Sequence, residues 1–223
     1  MRRALMVDLF STLIPGGHRE RAAVHSEMAE VLGVEPEDFA AAFDATVYER
    51  FTGAYGDLSS TLRELARRCG GRPSDDQLRR ATDMRRTLAQ ELVGAAPAST
   101  LDALATLRSA GWRTGLVSNI TSETQTQWSQ SALSQHFEVT AFSAEVGSAK
   151  PEPAIYLAAC EGLGVEPTEC VYVGDGNDNE LAAATALGMH VIRTTEHADS
   201  DPGWAGPTIA SFAALPALLG APG

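Results

Sequence analysis

The sequence predicts an α/β fold in which a Rossmann-like parallel sheet core carries an inserted all-helical cap domain. The first observation is a series of short apolar runs, typical of buried parallel strands, that alternate with helical segments through residues 96–223. The second is a long stretch of helical periodicity, without a convincing strand, that follows the first apolar run. Strands that alternate with helices form one parallel sheet through right-handed crossovers. We therefore expect a core at 1–14 and 96–223 and a helical cap at 15–95.

The first strand is expected at residues 4–7, an apolar run that ends at Asp8. Residues 20–93 then change to the helical period, since apolar side chains recur every three or four positions. Two such apolar faces consist of Val24, Met28, Val31 and Leu32, and of Leu58, Leu62, Leu65 and Ala66. Open α/β sheets form their sites at the carboxyl ends of strands, so Asp8 lies where a site is expected.

Strands and helices alternate through the rest of the chain. A helix through Leu101, Leu104 and Leu107 is expected to end before Gly111. The further strands are expected at 114–117, 137–142, 170–173 and 189–192, with helices at 153–160 and 179–187. The last four residues, 220–223, are expected to be loosely held.

Composition and charge exclude several classes of function. The 223-residue chain has a net charge of -12, which argues against a nucleic-acid partner, because a duplex binder needs a basic face. No apolar stretch is long enough to span a membrane. Asp8 interrupts the apolar run after Met1-Arg2-Arg3 before it reaches signal-peptide length, and the three cysteines show no zinc-type pairing. We expect a cytoplasmic monomer or homodimer that acts on a small-molecule substrate.

Four polar clusters stand at strand ends or at the start of the following helix. They comprise residues 8–13 (Asp-Leu-Phe-Ser-Thr-Leu), Ser118-Asn119, residues 150–153 (Lys-Pro-Glu-Pro) and residues 174–180 (Gly-Asp-Gly-Asn-Asp-Asn-Glu). Because the carboxyl ends of parallel strands share one edge of a sheet, the four clusters are expected to converge there.

In order and spacing these clusters resemble the four motifs of the haloacid dehalogenase-like hydrolase superfamily, in particular its members with a helical cap inserted after the first motif. Those motifs are a nucleophilic Asp followed four residues later by Thr, a strand-end Ser or Thr, a Lys before a helix, and an acidic Gly-Asp loop. The resemblance extends over nearly the whole chain. It implies a hydrolase with an aspartate nucleophile, acting as a phosphatase on a small phosphorylated metabolite.

The residues themselves suit that chemistry. A carboxylate held at a strand end can attack phosphorus or carbon, so Asp8 is the candidate nucleophile and Lys150 would hold it ionised. Two carboxylates that face each other repel unless a cation separates them, so Asp8 and Asp175 are the candidate ligands of Mg²⁺. The resemblance adds the backbone carbonyl of Phe10 and either Asp178 or Glu180. Those two acidic residues would suit the first turn of a helix equally well, and the choice stays open.

The remaining polar side chains suit a transferred phosphoryl group. Thr12 and Ser118 supply hydroxyl groups, Asn119 supplies an amide and Lys150 supplies a compact positive charge. Thr12, Ser118 and Asn119 are therefore the candidate substrate-binding residues, and Asp8 and Lys150 the candidate catalytic ones.

Phe10 departs from the family pattern. Phosphatases of this superfamily usually carry there a second aspartate, which acts as general acid and base. Its loss typically lowers a rate by about 10²- to 10⁴-fold. The dehalogenase branch has an aromatic residue at this position, so a 2-haloacid dehalogenase is the alternative enzyme. Against it, that branch works without a metal and lacks the Gly-Asp pair of the last motif, which this chain retains as Gly174-Asp175. A catalytically weak relative that binds a ligand is the other alternative.

Few residues of the cap can be assigned from the sequence. Phosphonate cleavage would need a cap lysine, and residues 15–95 contain none. His18 and His25 lie near the expected hinge and are left outside catalysis, because a lone histidine is more often solvated or packed. Arg50 and Tyr55 are candidates for substrate contact by position only.

Overall fold

The computed structural model describes residues 4–220, and within them six strands form one parallel sheet. The strand order is β3-β2-β1-β4-β5-β6. The strands are β1 (Ala4–Val7), β2 (Arg113–Ser118), β3 (Val139–Phe142), β4 (Cys170–Gly174), β5 (His190–Thr194) and β6 (Thr208–Ile209). The predicted parallel α/β core is confirmed.

The helices fall into two groups along the chain. Between β1 and β2 lie α1 (His18–Leu32), α2 (Pro36–Ala45), α3 (Val47–Phe51), α4 (Leu58–Arg68), α5 (Asp75–Val93) and α6 (Ala98–Ser109). After β2 lie α7 (Ser122–Trp128), α8 (Ser143–Val146), α9 (Pro153–Leu163), α10 (Glu180–Ala186) and α11 (Leu215–Leu218). We call α1–α5 the helical insertion. The boundaries predicted for a cap domain, 15–95, stay a prediction.

The register of the central strands places the polar clusters at one edge of the sheet. Val7 of β1 pairs with Leu116 of β2 and with Val173 of β4. The strands therefore end together, and the Asp8 backbone N–H donates to the Val173 carbonyl at 2.9 Å. Parallel pairing in this register brings the residues that follow each strand to a common cleft.

Both faces of the sheet are buried, as expected for a parallel sheet covered by helices. Successive side chains of β1 alternate between two core clusters: Leu5 and Val7 belong to one, and Ala4 and Met6 to the other. The helical insertion has its own core, which includes Met28, Phe39, Leu62, Leu65 and Leu78. This separate core explains the helical periodicity of residues 20–93.

Several contacts join the helical insertion to the sheet core, and two of them involve charged side chains. The Arg85 guanidinium of α5 forms a buried ion pair with Glu123 of α7, with Nε 2.8 Å from Oε1. On the opposite side, the Tyr48 hydroxyl donates to Glu152 Oε1 at 2.8 Å, where both residues are solvent-accessible. None of the helices within residues 4–220 has the length and apolar character needed to cross a bilayer.

The strands and helices that the sequence predicted in the sheet core lie within a few residues of their observed bounds, but the four-residue helix α8 was not predicted. The strand predicted at 137–142 begins only at Val139, because Ser134–His136 forms a 3₁₀ turn that leads into it. The two-residue edge strand β6 and the short α11 were not predicted, since neither is long enough to show a period. Of the end predicted to be loose, 220–223, only Gly220 lies among the described residues.

Candidate active site

Asp8 occupies the carboxyl end of β1 and is only 4% exposed. The Lys150 ammonium donates to Asp8 Oδ1 at 2.5 Å and to Glu180 Oε2 at 2.5 Å. Burial alone would lower the pKa of Lys150, but the two adjacent carboxylates raise it overall, so Lys150 remains a cation. The two predicted catalytic residues are therefore in direct contact.

Glu180 is a fully buried partner of this pair. Its Oε2 also accepts from the Tyr172 hydroxyl at 2.6 Å, and its Oε1 accepts from the Gly176 backbone N–H at 3.1 Å. A Cβ at Gly174 would collide with the Glu180 carboxylate, so the chain needs glycine there. Both Glu180 oxygens thus have protein partners, which suits a residue that positions Lys150.

Three carboxylates converge beside this single ammonium. One oxygen each of Asp8, Asp175 and Glu180 lies within 4.8 Å of the other two. Burial raises the pKa of Asp8 to about 7; Lys150 opposes this rise, and Glu180 and Asp175 add to it. If all three carboxyl groups were ionised, Lys150 would leave two negative charges unbalanced. Oxygen donors with this excess charge fit a hard divalent cation such as Mg²⁺.

Asp178, the other candidate ligand, occupies a different environment. It lies at the mouth of the cleft with a φ of 53°. Its Oδ2 accepts from Asn119 Nδ2 at 2.8 Å. The Asn119 amide also holds the Lys150 peptide, donating to its carbonyl at 3.1 Å and accepting from its N–H at 2.7 Å. Asn119 therefore braces the Lys150 loop, and its predicted role in substrate binding stays a prediction.

The two predicted hydroxyl donors are placed differently. Both Thr12 Oγ1 and Ser118 Oγ are buried without a hydrogen-bond partner in the part of the chain that is described. Ser118 lines the cleft beside Asp8, whereas Thr12 is fully buried and does not line it. An unsatisfied buried hydroxyl carries a desolvation cost, which a bound oxyanion would remove at Ser118.

A cavity of about 340 Å³ lies between the sheet edge and the helical insertion. The predicted site residues that line it are Asp8, Phe10, Ser118, Asn119, Lys150, Asp175 and Asp178. This volume is in the range of sites for small molecules. The use of the Phe10 carbonyl as a metal ligand stays a prediction.

Several residues outside the predicted site also line this cavity, among them His18, Arg21 and Ser200. Ser200, in the loop after β5, donates its hydroxyl to Asp175 Oδ2. A Cβ at Gly16 would lie 2.9 Å from His18 Nε2 and 2.6 Å from Ser11 Oγ, so glycine permits this close approach. No local pattern marked Ser200, while His18 and Arg21 could have been suspected from their position just after the first motif.

Comparison with known proteins gives a family match over most of the chain. A family model described as haloacid dehalogenase-like hydrolase matches residues 3–188. Glyceraldehyde 3-phosphate phosphatase from Methanopyrus kandleri is 42% identical over 57 residues, which are 26% of this chain and 24% of that protein. The match thus spans about a quarter of that relative's length.

Two solved structures share the fold over almost the whole chain. A HAD phosphatase from Thermococcus onnurineus has a TM-score of 0.69 at 21% identity, covering 98% of both chains. L-2-haloacid dehalogenase from Xanthobacter autotrophicus has a TM-score of 0.66 at 19% identity, also covering 98% of both chains. At these identities the likeness extends to the fold alone.

Proposed function

Because this chain belongs to the haloacid dehalogenase-like hydrolase family, we propose that it is a phosphatase that hydrolyses a small phosphorylated metabolite with Asp8 as nucleophile and Mg²⁺ as cofactor. The observation that carries the proposal is the buried cluster of Asp8, Asp175 and Glu180 with Lys150 as its cation. A halide displacement has no need for this surplus of carboxylates, whereas a phosphoryl group brings charge that a metal ion and an ammonium must balance.

In the proposed reaction an Asp8 carboxylate oxygen attacks phosphorus, and the bond to the leaving alcohol oxygen breaks. Water then attacks the acyl-phosphate, which releases phosphate and restores Asp8. Lys150 opposes the rise in the pKa of Asp8 that burial causes, and it orients the carboxylate through the 2.5 Å contact. The free hydroxyl of Ser118 donates to an oxygen of the transferred group.

Mg²⁺ would be held by Asp8 and Asp175 and would neutralise charge on the transferred phosphoryl group. Ser200 positions Asp175 through its hydrogen bond, and Glu180 acts through Lys150. Of the two open candidates, Asp178 is the one that faces the cleft.

The proton for the leaving group needs a source other than residue 10, because Phe10 cannot supply one. We include His18 in the proposal, since it lines the same cavity as Asp8 and imidazole is the commonest general acid and base in enzymes. We expect His18→Asn to lower kcat for alkyl phosphates by about 10²-fold, and to affect p-nitrophenyl phosphate far less, because its leaving group needs no proton. His190→Asn, at an exposed position on β5, is the matched control. Equal losses on both kinds of substrate would remove His18 from this role.

The test of the proposed function is phosphate release from p-nitrophenyl phosphate and a panel of sugar and nucleotide phosphates, with Mg²⁺ or with a chelator. We expect activity with Mg²⁺ and a loss of at least about 10²-fold in chelator, since a metal ion contributes several kcal/mol to charge stabilisation. Chelator-insensitive phosphate release would refute the proposed cofactor.

The second candidate is a 2-haloacid dehalogenase, favoured by the ring of Phe10 in the cavity wall. Chloro-acids assayed in parallel distinguish it from a phosphatase. Halide release at the same rate with and without chelator would show a dehalogenase and refute the phosphatase proposal. The absence of turnover on every substrate would favour a ligand-binding relative with little activity.

A further inference from the structure

The helical insertion carries three arginines near the cleft, of which Arg21 lines it. Arg21 of α1 and Arg50 of α3 lie close enough to Arg85 of α5 for its charge to act on both, and Glu123 forms an ion pair with Arg85. Burial, and then the charge of Arg85, lower the pKa of Arg21 and of Arg50 to about 10. The charge of Arg85 therefore makes both Arg21 and Arg50 costlier to keep charged.

Arg85 is the member of this group that is neutralised. Its Nε donates to Glu123 at 2.8 Å, and its Nη1 lies 3.2 Å from His25 Nε2. Burial and the three arginines hold the pKa of His25 at about 3, so the ring is neutral and accepts this hydrogen bond. His25 thus adds no negative charge that could compensate Arg21 or Arg50.

Within residues 4–220 the hydrogen-bond partners of Arg21 and Arg50 are backbone carbonyls, and the carboxylates of Glu123 and, for Arg50, Asp44 act on them only through their charge. Arg21 Nε donates to the Gly16 carbonyl at 3.0 Å, and its guanidinium lies 4.4 Å from the centre of the Phe10 ring. Arg50 Nη2 donates to the Phe43 carbonyl at 2.9 Å, while its Nε is buried without a partner. A guanidinium that is partly removed from water, with no carboxylate hydrogen-bonded to it, favours an anion from outside the chain.

The position of these groups relative to Asp8 indicates where that anion belongs. Arg21 lines the cavity that contains Asp8 and Lys150, and Arg50 lines a smaller space that shares Thr121 with it. The Phe10 ring contacts the guanidinium of Arg21 and lines the same cavity. Phe10 thus makes a cation–π contact with Arg21 from the position at which phosphatases of the family usually carry the acid-base aspartate.

We propose that Arg21, with support from Arg50, binds a second anionic group on the leaving part of the substrate, which makes the substrate class a small phosphomonoester that also carries a carboxylate or a second phosphate. The planar guanidinium matches either group through paired N–H donors. The inference rests on the proposed phosphatase function, because that function places the transferred phosphoryl group at Asp8.

Three probes on one scaffold test this subsite: glycerol 3-phosphate, 3-phosphoglycerate and glycerol 1,3-bisphosphate. We expect the native enzyme to prefer one of the two probes with a second anionic group. Arg21→Gln is expected to raise KM for that probe by about 10- to 100-fold with little change in kcat, and to leave glycerol 3-phosphate unaffected. Whether the carboxylate or the bisphosphate probe responds identifies the anion.

Arg86→Gln is the matched control, because Arg86 lies on α5 with 57% of its side chain exposed. This variant is expected to leave KM unchanged for all three probes. A native enzyme that prefers glycerol 3-phosphate, or an Arg21→Gln variant that alters all three probes equally, would overturn the subsite.

Binding measurements separate failure of the subsite from failure of the proposed function. Calorimetry on Mg²⁺-loaded Asp8→Asn needs no turnover, so it decides the subsite even if no substrate is hydrolysed. Tighter binding of 3-phosphoglycerate or the bisphosphate than of glycerol 3-phosphate, lost when Arg21→Gln is added, supports the proposal. Equal affinity for the three probes, or affinities that Arg21→Gln does not change, would refute it.

Discussion

Asp8→Asn is expected to reduce phosphate release by at least about 10³-fold, the largest effect on activity that we expect from a single substitution. An amide of the same shape cannot form the acyl-phosphate, and it no longer provides the charged acceptor of Lys150. Steady-state phosphate release with Mg²⁺ measures the loss. Asp83→Asn, an exposed carboxylate of α5, is the control and should retain full activity. Full turnover by Asp8→Asn would refute Asp8 as the nucleophile.

The same variant has a second signature in its stability. The pKa of Asp8 rises from 3.8 to about 7 in the metal-free fold, so the native state binds more protons than the unfolded state between these values. The free energy of unfolding of the native sequence should therefore fall as pH rises through this window. The free energy of unfolding of Asp8→Asn should fall less over the same pH range. Thermal melts in chelator at pH 5 and pH 8 measure the difference, and an equal pH dependence of both proteins would contradict the assigned cause.

Arg85→Met is expected to lower the free energy of unfolding by about 3 to 5 kcal/mol, the largest effect on stability that we expect. The substitution leaves Glu123 buried without its cation, since the two side chains are only 5% and 2% exposed. Thr121 remains as a donor to Glu123 at 2.6 Å, but a hydroxyl cannot balance the charge. Chemical denaturation with a two-state fit measures the loss.

A double-mutant cycle separates the ion pair from lost packing. Arg85→Met combined with Glu123→Gln should recover much of the lost stability, because no unpaired charge then remains in the interface. Arg86→Met, which disrupts an exposed pair with Asp83, should change stability by less than about 1 kcal/mol. A double variant as unstable as Arg85→Met alone would show that packing of the Arg85 side chain decides the effect.

The residues at the sheet edge could be predicted from local patterns, because each strand and the polar residue that follows it are adjacent in the sequence. An apolar run of strand length followed by a polar residue marks both the strand and its carboxyl end, and the parallel arrangement then brings Asp8, Ser118 and Asp175 together. Lys150 follows no strand, yet its position before α9 sufficed to include it.

Thr12 and Asn119 show where that reasoning reaches its limit. Thr12 carries the expected hydroxyl, but the turn after β1 leaves it outside the cavity lining. Asn119 does line the cavity, but its amide also satisfies the Lys150 backbone groups, a contact that the sequence did not predict. In both cases residue type and spacing were as predicted, and the direction of the side chain depended on the backbone of the loop.

The sequence by itself determined the parallel core, the helical insertion after β1, and the order in which the polar clusters meet at the sheet edge. Only the tertiary structure decided that Glu180 is enclosed by Lys150 and Tyr172, and that His18, Arg21 and Ser200 line the cavity. The physical reason is that hydrophobic periodicity and strand ends are set by neighbours along the chain. The lining of a cleft depends instead on how separately folded elements pack, and on which buried charges find partners there.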